Sequence, residues 1–148
     1  MALMHRDPNT IHLGGPIERL NEWICGVAIT SGMECEFYND SGTMKIRPLA
    51  SATQQATNIV ALEDLFHNKT VSDVYAIGSL VPVARFLPGS GIPSGQNIVA
   101  GQNLQANGDG WLKDATSDAA ADNVARKQAL ESSGGAVSVF TRLRVQVL

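Results

Sequence analysis

Aromatic residues make up only 5% of this chain and charged residues 17%, the latter below the roughly 25% usual in soluble domains. With so few rings, the core must rest mainly on Val, Ile, Leu and Ala. Basic clusters are also missing. The densest pairs are Arg126-Lys127 and Arg142/Arg144, and the net charge is −3, so nothing here could neutralise a run of phosphates, and nucleic acid is not an expected partner. No window approaches the ~18 apolar residues of a membrane span. The opening MALMHRDPNT lacks an apolar h-region and meets Asp7-Pro8 at once, so a secretory signal is not expected either. The two cysteines, Cys25 and Cys35, read as reduced, buried small hydrophobes of a protein made in a cytoplasm.

Recognisable chemistry is equally sparse. His5, His12 and His67 are far apart, and neither cysteine has a nearby imidazole, so no metal-ligand spacing is present. There is no G-x-S-x-G, and no base adjoins Cys25 or Cys35 in sequence. Glu34 and Glu36 lie two apart on an expected strand and so share one solvated face, while Glu63 and Asp64 are neighbours. The N-G-D-G at 107–110 lacks the ligand spacing of a calcium loop. The glycines of G-S-G-I-P-S-G have no strand-to-helix junction around them. No catalytic, cofactor-binding or metal-binding residue is assigned, and no cofactor is expected.

What the chain does have is turns and short apolar runs. It holds 148 residues, 44% hydrophobic, with 14 glycines and 6 prolines lying between those runs, the pattern of a many-turned β-protein. It also repeats itself. ALED at 61–64 returns as ALES at 129–132, an offset of 68 residues (129 − 61) that also pairs Gly42 with Gly110 and Met44 with Leu112. One inserted residue earlier in the chain, an offset of 69 aligns Asp40 with Asp109, Gly32 with Gly101 and Ile29 with Ile98. Each copy predicts a strand, a turn rich in Asn, Asp and Gly, and a returning strand. In the first, Met33, Cys35 and Phe37 share one face.

The remaining elements follow from local pattern. Residues 1–22 read as an extended N-terminal arm or edge segment, 23–86 as a first β-lobe, 87–97 as an exposed linker loop and 98–148 as a second β-lobe. Leu80–Phe86 predicts a strand in which Pro82 demands either an edge position or a bulge. Residues 118–130 have helix-forming composition. Val137–Leu148 alternates, with Val145 and Val147 on the face opposite Arg144 and Gln146. The expected fold is mainly β: two related hairpin-rich lobes forming small β-barrels or a sandwich, with at most one short helix.

Several stretches together resemble the capsid decoration (cement, or head-stabilisation) proteins of tailed bacteriophages. They are N-T-I-H-L (9–13), A-I-T-S-G (28–32), V-A-L-E-D-L-F (60–66), N-K-T-V-S-D-V-Y-A-I-G (68–78), I-V-A-G-Q-N-L-Q-A-N-G-D-G (98–110), A-L-E-S (129–132) and V-F-T-R-L-R-V-Q-V-L (139–148). They span nearly the whole chain in order. Ser31 and Gln102 stand where the family pattern has Pro and Asp.

The resemblance implies a non-enzymatic virion protein on the outer surface of the mature capsid, synthesised in the host cytoplasm. It would bind the major capsid protein and itself, as a homotrimer, and hold capsomers together. An extended arm can add a strand to a neighbouring sheet. Residues 1–16 are therefore expected to order on binding, with Thr10, Ile11, His12, Leu13 and Pro16 as the capsid or subunit interface. Two other readings stay open: a small oligomeric β-barrel enzyme or ligand-binding module with its site between subunits, or another virion part such as a head-fibre base or neck adaptor.

Overall fold

The computed structural model describes residues 10–51, 57–94, 101, 103–114, 127–129 and 143–147. Among these, the strands run β1 (Ile17–Ile24), β2 (Ile29–Thr30), β3 (Cys35–Asp40), β4 (Thr43–Pro48), β5 (Ile59–Ala61), β6 (Val74–Tyr75), β7 (Leu80–Phe86), β8 (Gly91–Ser94), β9 (Leu104–Ala106), β10 (Leu112–Asp114), β11 (Lys127–Ala129) and β12 (Leu143–Val147), with one 3-10 turn at Leu65–His67. The fold is mainly β, as expected. The strands form several small sheets, none of them a closed barrel among the described residues.

A three-stranded antiparallel sheet, in the order β1-β7-β5, organises the rest. Side chains alternate across a strand, and here both faces are covered. Val60, Ala84 and Phe86 enter one core with Ile11, Leu62, Leu104, Leu112 and Val147. Ile59, Ala61, Val81 and Val83 enter a second core with Cys25, Ile29, Cys35, Ile46 and Tyr75. Burial on both sides is why these segments read as nearly continuous apolar runs.

Pro82 therefore lies in a central strand, with a bulge in β1 on the side away from its own carbonyl. The β1–β7 register shifts between Arg19 and Glu22, where Asn21 takes a φ of 67° and Trp23 Nε1 donates to the Leu20 carbonyl at 2.8 Å. On its other side Pro82 stands one step beyond the last β5 pair, Ala61↔Val83. It accepts a hydrogen bond from Leu62 N at 2.8 Å but has no N–H to return. The Leu62 carbonyl instead accepts from Tyr75 OH at 2.9 Å and Ser31 Oγ at 3.2 Å.

The two repeated units both give hairpins. β3 and β4 pair from Cys35↔Pro48 to Asp40↔Thr43 around Ser41 and Gly42, both at positive φ, as a type I′ turn requires. β9 and β10 pair around a longer loop, with Ala106 opposite Leu112 and Asn107 N donating to Trp111 O at 2.9 Å. The pairing registers of the two hairpins are thus not equivalent, although Cys35 and Leu104, aligned by the offset of 69, each fill one core.

Several expectations need correcting. Glu34 does not share a solvated face with Glu36: it is 1% exposed. Its carboxylate accepts from Thr57 N at 3.0 Å and Asn58 N at 3.3 Å, while its backbone is clamped between Gly110 O and Leu49 N. Glu36, by contrast, pairs with Arg47 at 2.8 Å. Of the helix expected at 118–130, Lys127–Ala129 form β11 against β12, and 118–126 and 130 lie outside the described residues. Within the stretch 87–97, Gly91–Ser94 form β8, also paired with β12. The C-terminal strand is present as Leu143–Val147; residues 137–142 and Leu148 lie outside the described residues.

Candidate interaction surface

The five residues singled out near the N-terminus are tied into the fold. Glu63 holds the segment: its carboxylate accepts from Thr10 Oγ1 at 2.7 Å and from Ile11 N at 3.0 Å. Ile11 is fully buried in the first core. The His12 ring lies edge-on to Phe86 at 5.8 Å between centroids and bonds through Nε2 to Gly15 O at 2.8 Å. Leu13 N donates to Gly91 O at 3.0 Å, and Pro16 O accepts from Leu87 N at 3.1 Å. The stretch from Thr10 to Pro16 therefore packs against the rest of the chain; residues 1–9, the rest of the expected arm, lie outside the described residues.

The next residue along, Asp64, holds a second feature. Residues 64–69 close on themselves through paired backbone bonds, Asp64 N to Lys69 O at 2.9 Å and Lys69 N to Asp64 O at 2.8 Å. Asp64 caps the 3-10 turn through His67, whose Nδ1 lies 2.5 Å from Asp64 Oδ2, and Asn68 closes it in the left-handed region. This small rigid loop carries Leu65, 65% exposed, and Phe66, 98% exposed, at its tip. The apolar run from Val60 to Leu65 hides this in sequence, because the strand ends at Ala61 and burial ends with Leu62.

Exposed apolar surface is not scattered over the described residues. Apart from Met44, every large exposed hydrophobic lies on residues 24–27, 65–66 or 74–80. The pairs Ile24↔Leu80 and Thr30↔Val74 bring the first and last segments together. Lys69 Nζ, donating to Val74 O at 3.1 Å, ties the loop to them. Between them lies an open, mostly apolar depression of about 250 Å³, bordered by Glu22, Asp64, His67, Lys69, Tyr75, Ser79 and Leu80.

Charges of both signs rim it. Asp64 is held below its usual value chiefly by the hydrogen bond from His67. That bond and the Asp64 charge raise His67, with a smaller contribution from Glu22. Burial pushes the Tyr75 phenol up to about 12, keeping it a neutral donor. Both cysteines are free and buried, and burial raises both thiols, the opposite of an activated nucleophile. Among the described residues, no three His, Cys, Asp or Glu side chains converge as a metal site would require.

No protein-family model and no curated protein matches the chain. Among solved structures it is similar to the head fibre gp8.5 N base of bacteriophage phi29, with a TM-score of 0.59 and 10% identity, covering 90% of this chain and 95% of that one. At that identity the likeness is one of fold.

Proposed function

We propose that this chain is a non-enzymatic structural protein of a bacteriophage virion. It binds the major capsid protein on the outer surface of the mature head and stabilises the shell by bridging capsomers as a homotrimer. The observation that carries this reading is the shared fold with a phage head fibre base over nearly the full length of both chains. The ordered set of decoration-protein motifs supports it independently. Linking several modest contacts in one oligomer raises avidity by ~10²–10⁴, so capsomers held this way separate only after the bridge is detached. Well-ordered β-structure keeps the ordering cost of binding low.

The test is co-sedimentation of the purified protein with mature, undecorated heads, with unexpanded precursor shells as control. Saturable binding to mature heads is expected, at a stoichiometry matching threefold or quasi-threefold positions. Binding to neither form overturns the reading.

The fold match also favours a second reading, the base of a head fibre. The two differ in consequence: a bridging protein raises the temperature at which filled heads release DNA, whereas a fibre base leaves it unchanged. An enzyme or ligand-binding module would instead carry its site between subunits, and a deep polar pocket there holding Glu63 or Asp64 beside an arginine would favour it; within the single chain Glu63 accepts from Thr10 and Ile11.

A further inference from the structure

We infer that the Phe66 ring of one copy seats in the depression beside Ser79 and Leu80 of a second copy, so that each copy gives one ring and receives one. This deepens the self-association in the reading above, but rests on nothing about the shell.

Three observations carry it. First, a phenylalanine 98% exposed on a six-residue loop closed by its own backbone bonds is a costly arrangement in a chain with so few rings. Rigid aromatic side chains of this kind are the commonest anchors of interfaces, because little freedom is lost when they dock.

Second, the receptor is on the same molecule and of the right size. A cavity of about 150 Å³ holds a benzene ring, and the depression offers about 250 Å³ with mostly apolar walls and an open mouth. Asp64, His67 and Lys69, from the loop that carries the ring, also border the depression, so ring and receptor are close neighbours on the molecule. A copy that carries both can give its ring to one neighbour and receive a ring from the next, the head-to-tail contact that closes a threefold assembly.

Third, the charges agree. The rim holds Glu22 and Asp64 against His67 and Lys69, so the flanks of an incoming loop meet charges of both signs. The neighbouring exposed apolar side chains, Ile24 and Ile77 among them, would extend the contact toward the ~800 Å² per partner of a stable interface.

The test uses the purified full chain, without heads. Sedimentation equilibrium should show wild type associating, and Phe66→Ala weakening that association about 100-fold. Leu80→Arg, which obstructs the receptor, should do the same. Met44→Ala, exposed but off this face, should leave it unchanged. Because Phe66 makes almost no contact within its own chain, unchanged thermal melting will show that its variant is folded.

A photo-crosslinking phenylalanine analogue at position 66, in mixed isotope-labelled and unlabelled protein, should join residues 79–80 of the other copy. A monomeric wild type, undiminished association of the Phe66 variant, or crosslinks directed elsewhere would each overturn the inference. Failure here leaves the head-sedimentation result free to succeed, and the reverse.

Discussion

Tyr75 donates its phenol hydrogen to the backbone carbonyl of Leu62 at 2.9 Å, filling the place of an N–H that Pro82 cannot supply. The proline thereby becomes compatible with a central strand, since the acceptor it abandons is met from outside the sheet by Tyr75 and by Ser31. A buried acceptor left bare costs about 1–3 kcal/mol. Tyr75→Phe alone should destabilise by about 1 kcal/mol, with Ser31 still in place, and adding Ser31→Ala should cost more than the sum of the two singles. Pro82→Ala restores a donor at the vacated position and should recover part of the loss in the Tyr75→Phe background. Urea unfolding midpoints measure all five variants; equal effects of Pro82→Ala with and without Tyr75 would show that the carbonyl is not the link.

The Asp64–His67 pair sets a pH dependence whose sign can be worked out. His67 is raised above 6.5, so its share of stability is complete below that value and lost as pH rises through the folded one. Asp64 is lowered below 3.8, so its share is complete above that value and lost as pH falls through the folded one. The pair is therefore fully formed between pH 3.8 and 6.5. An NMR titration of the His67 ring should give a midpoint above 6.5, and Asp64→Asn should lower it. A midpoint indifferent to that substitution would mean that the pair is not formed in solution.

The anchoring of Thr10–Pro16 changes how the N-terminal arm must be tested. Deletion of residues 1–16 removes Ile11 from the first core, a loss on the scale of about 2–5 kcal/mol for a large buried aliphatic side chain. Such a variant would lose head binding by unfolding. Head occupancy of a variant lacking only residues 1–9, compared at equal melting temperature, reports on the arm. Glu63→Ala should expose the segment instead, with faster proteolysis after His12 and a cost of about 1.5–3 kcal/mol from hydrogen bonds to a charged group.

Two glycines separate backbone strain from crowding. Both take positive φ, but a Cβ on Gly42 meets nothing within 4 Å, whereas one on Gly15 falls 2.5 Å from the Ser90 Cα. Gly42→Ala should cost about 1 kcal/mol. Gly15→Ala adds a backbone clash that no rotamer relieves and should cost about 1–3 kcal/mol more. Thermal denaturation of the pair checks the difference; equal losses would place the strain in φ alone.

Much of the strand content was legible because it is written locally. Leu80–Phe86 has the bounds expected of it, and the Ser41-Gly42 turn declares itself through residues that tolerate positive φ. Other features depend on distant parts of the chain. Nothing near Glu34 announces that the backbone of Thr57 and Asn58 will close over its carboxylate. The segment at Lys127–Ala129 has local helix propensity, but pairing with β12 overrides it, as tertiary contacts commonly do. Leu65 and Phe66 follow directly on the apolar run that begins at Val60. Their exposure is decided by the bonds between Asp64 and Lys69, which no hydrophobicity pattern encodes.

The two-faced central sheet also governs which length changes the chain can absorb. Along β7, Val81 and Val83 serve one core while Ala84 and Phe86 serve the other. One residue added to or removed from β7 would send every following side chain to the opposite side, mismatching both interiors at once. Additions at the Ser41-Gly42 tip, where a glycine Cβ meets open space, leave that parity untouched. A foreign peptide grafted there is carried outward on a hairpin, and the same graft within the central strands leaves no folded protein to carry it.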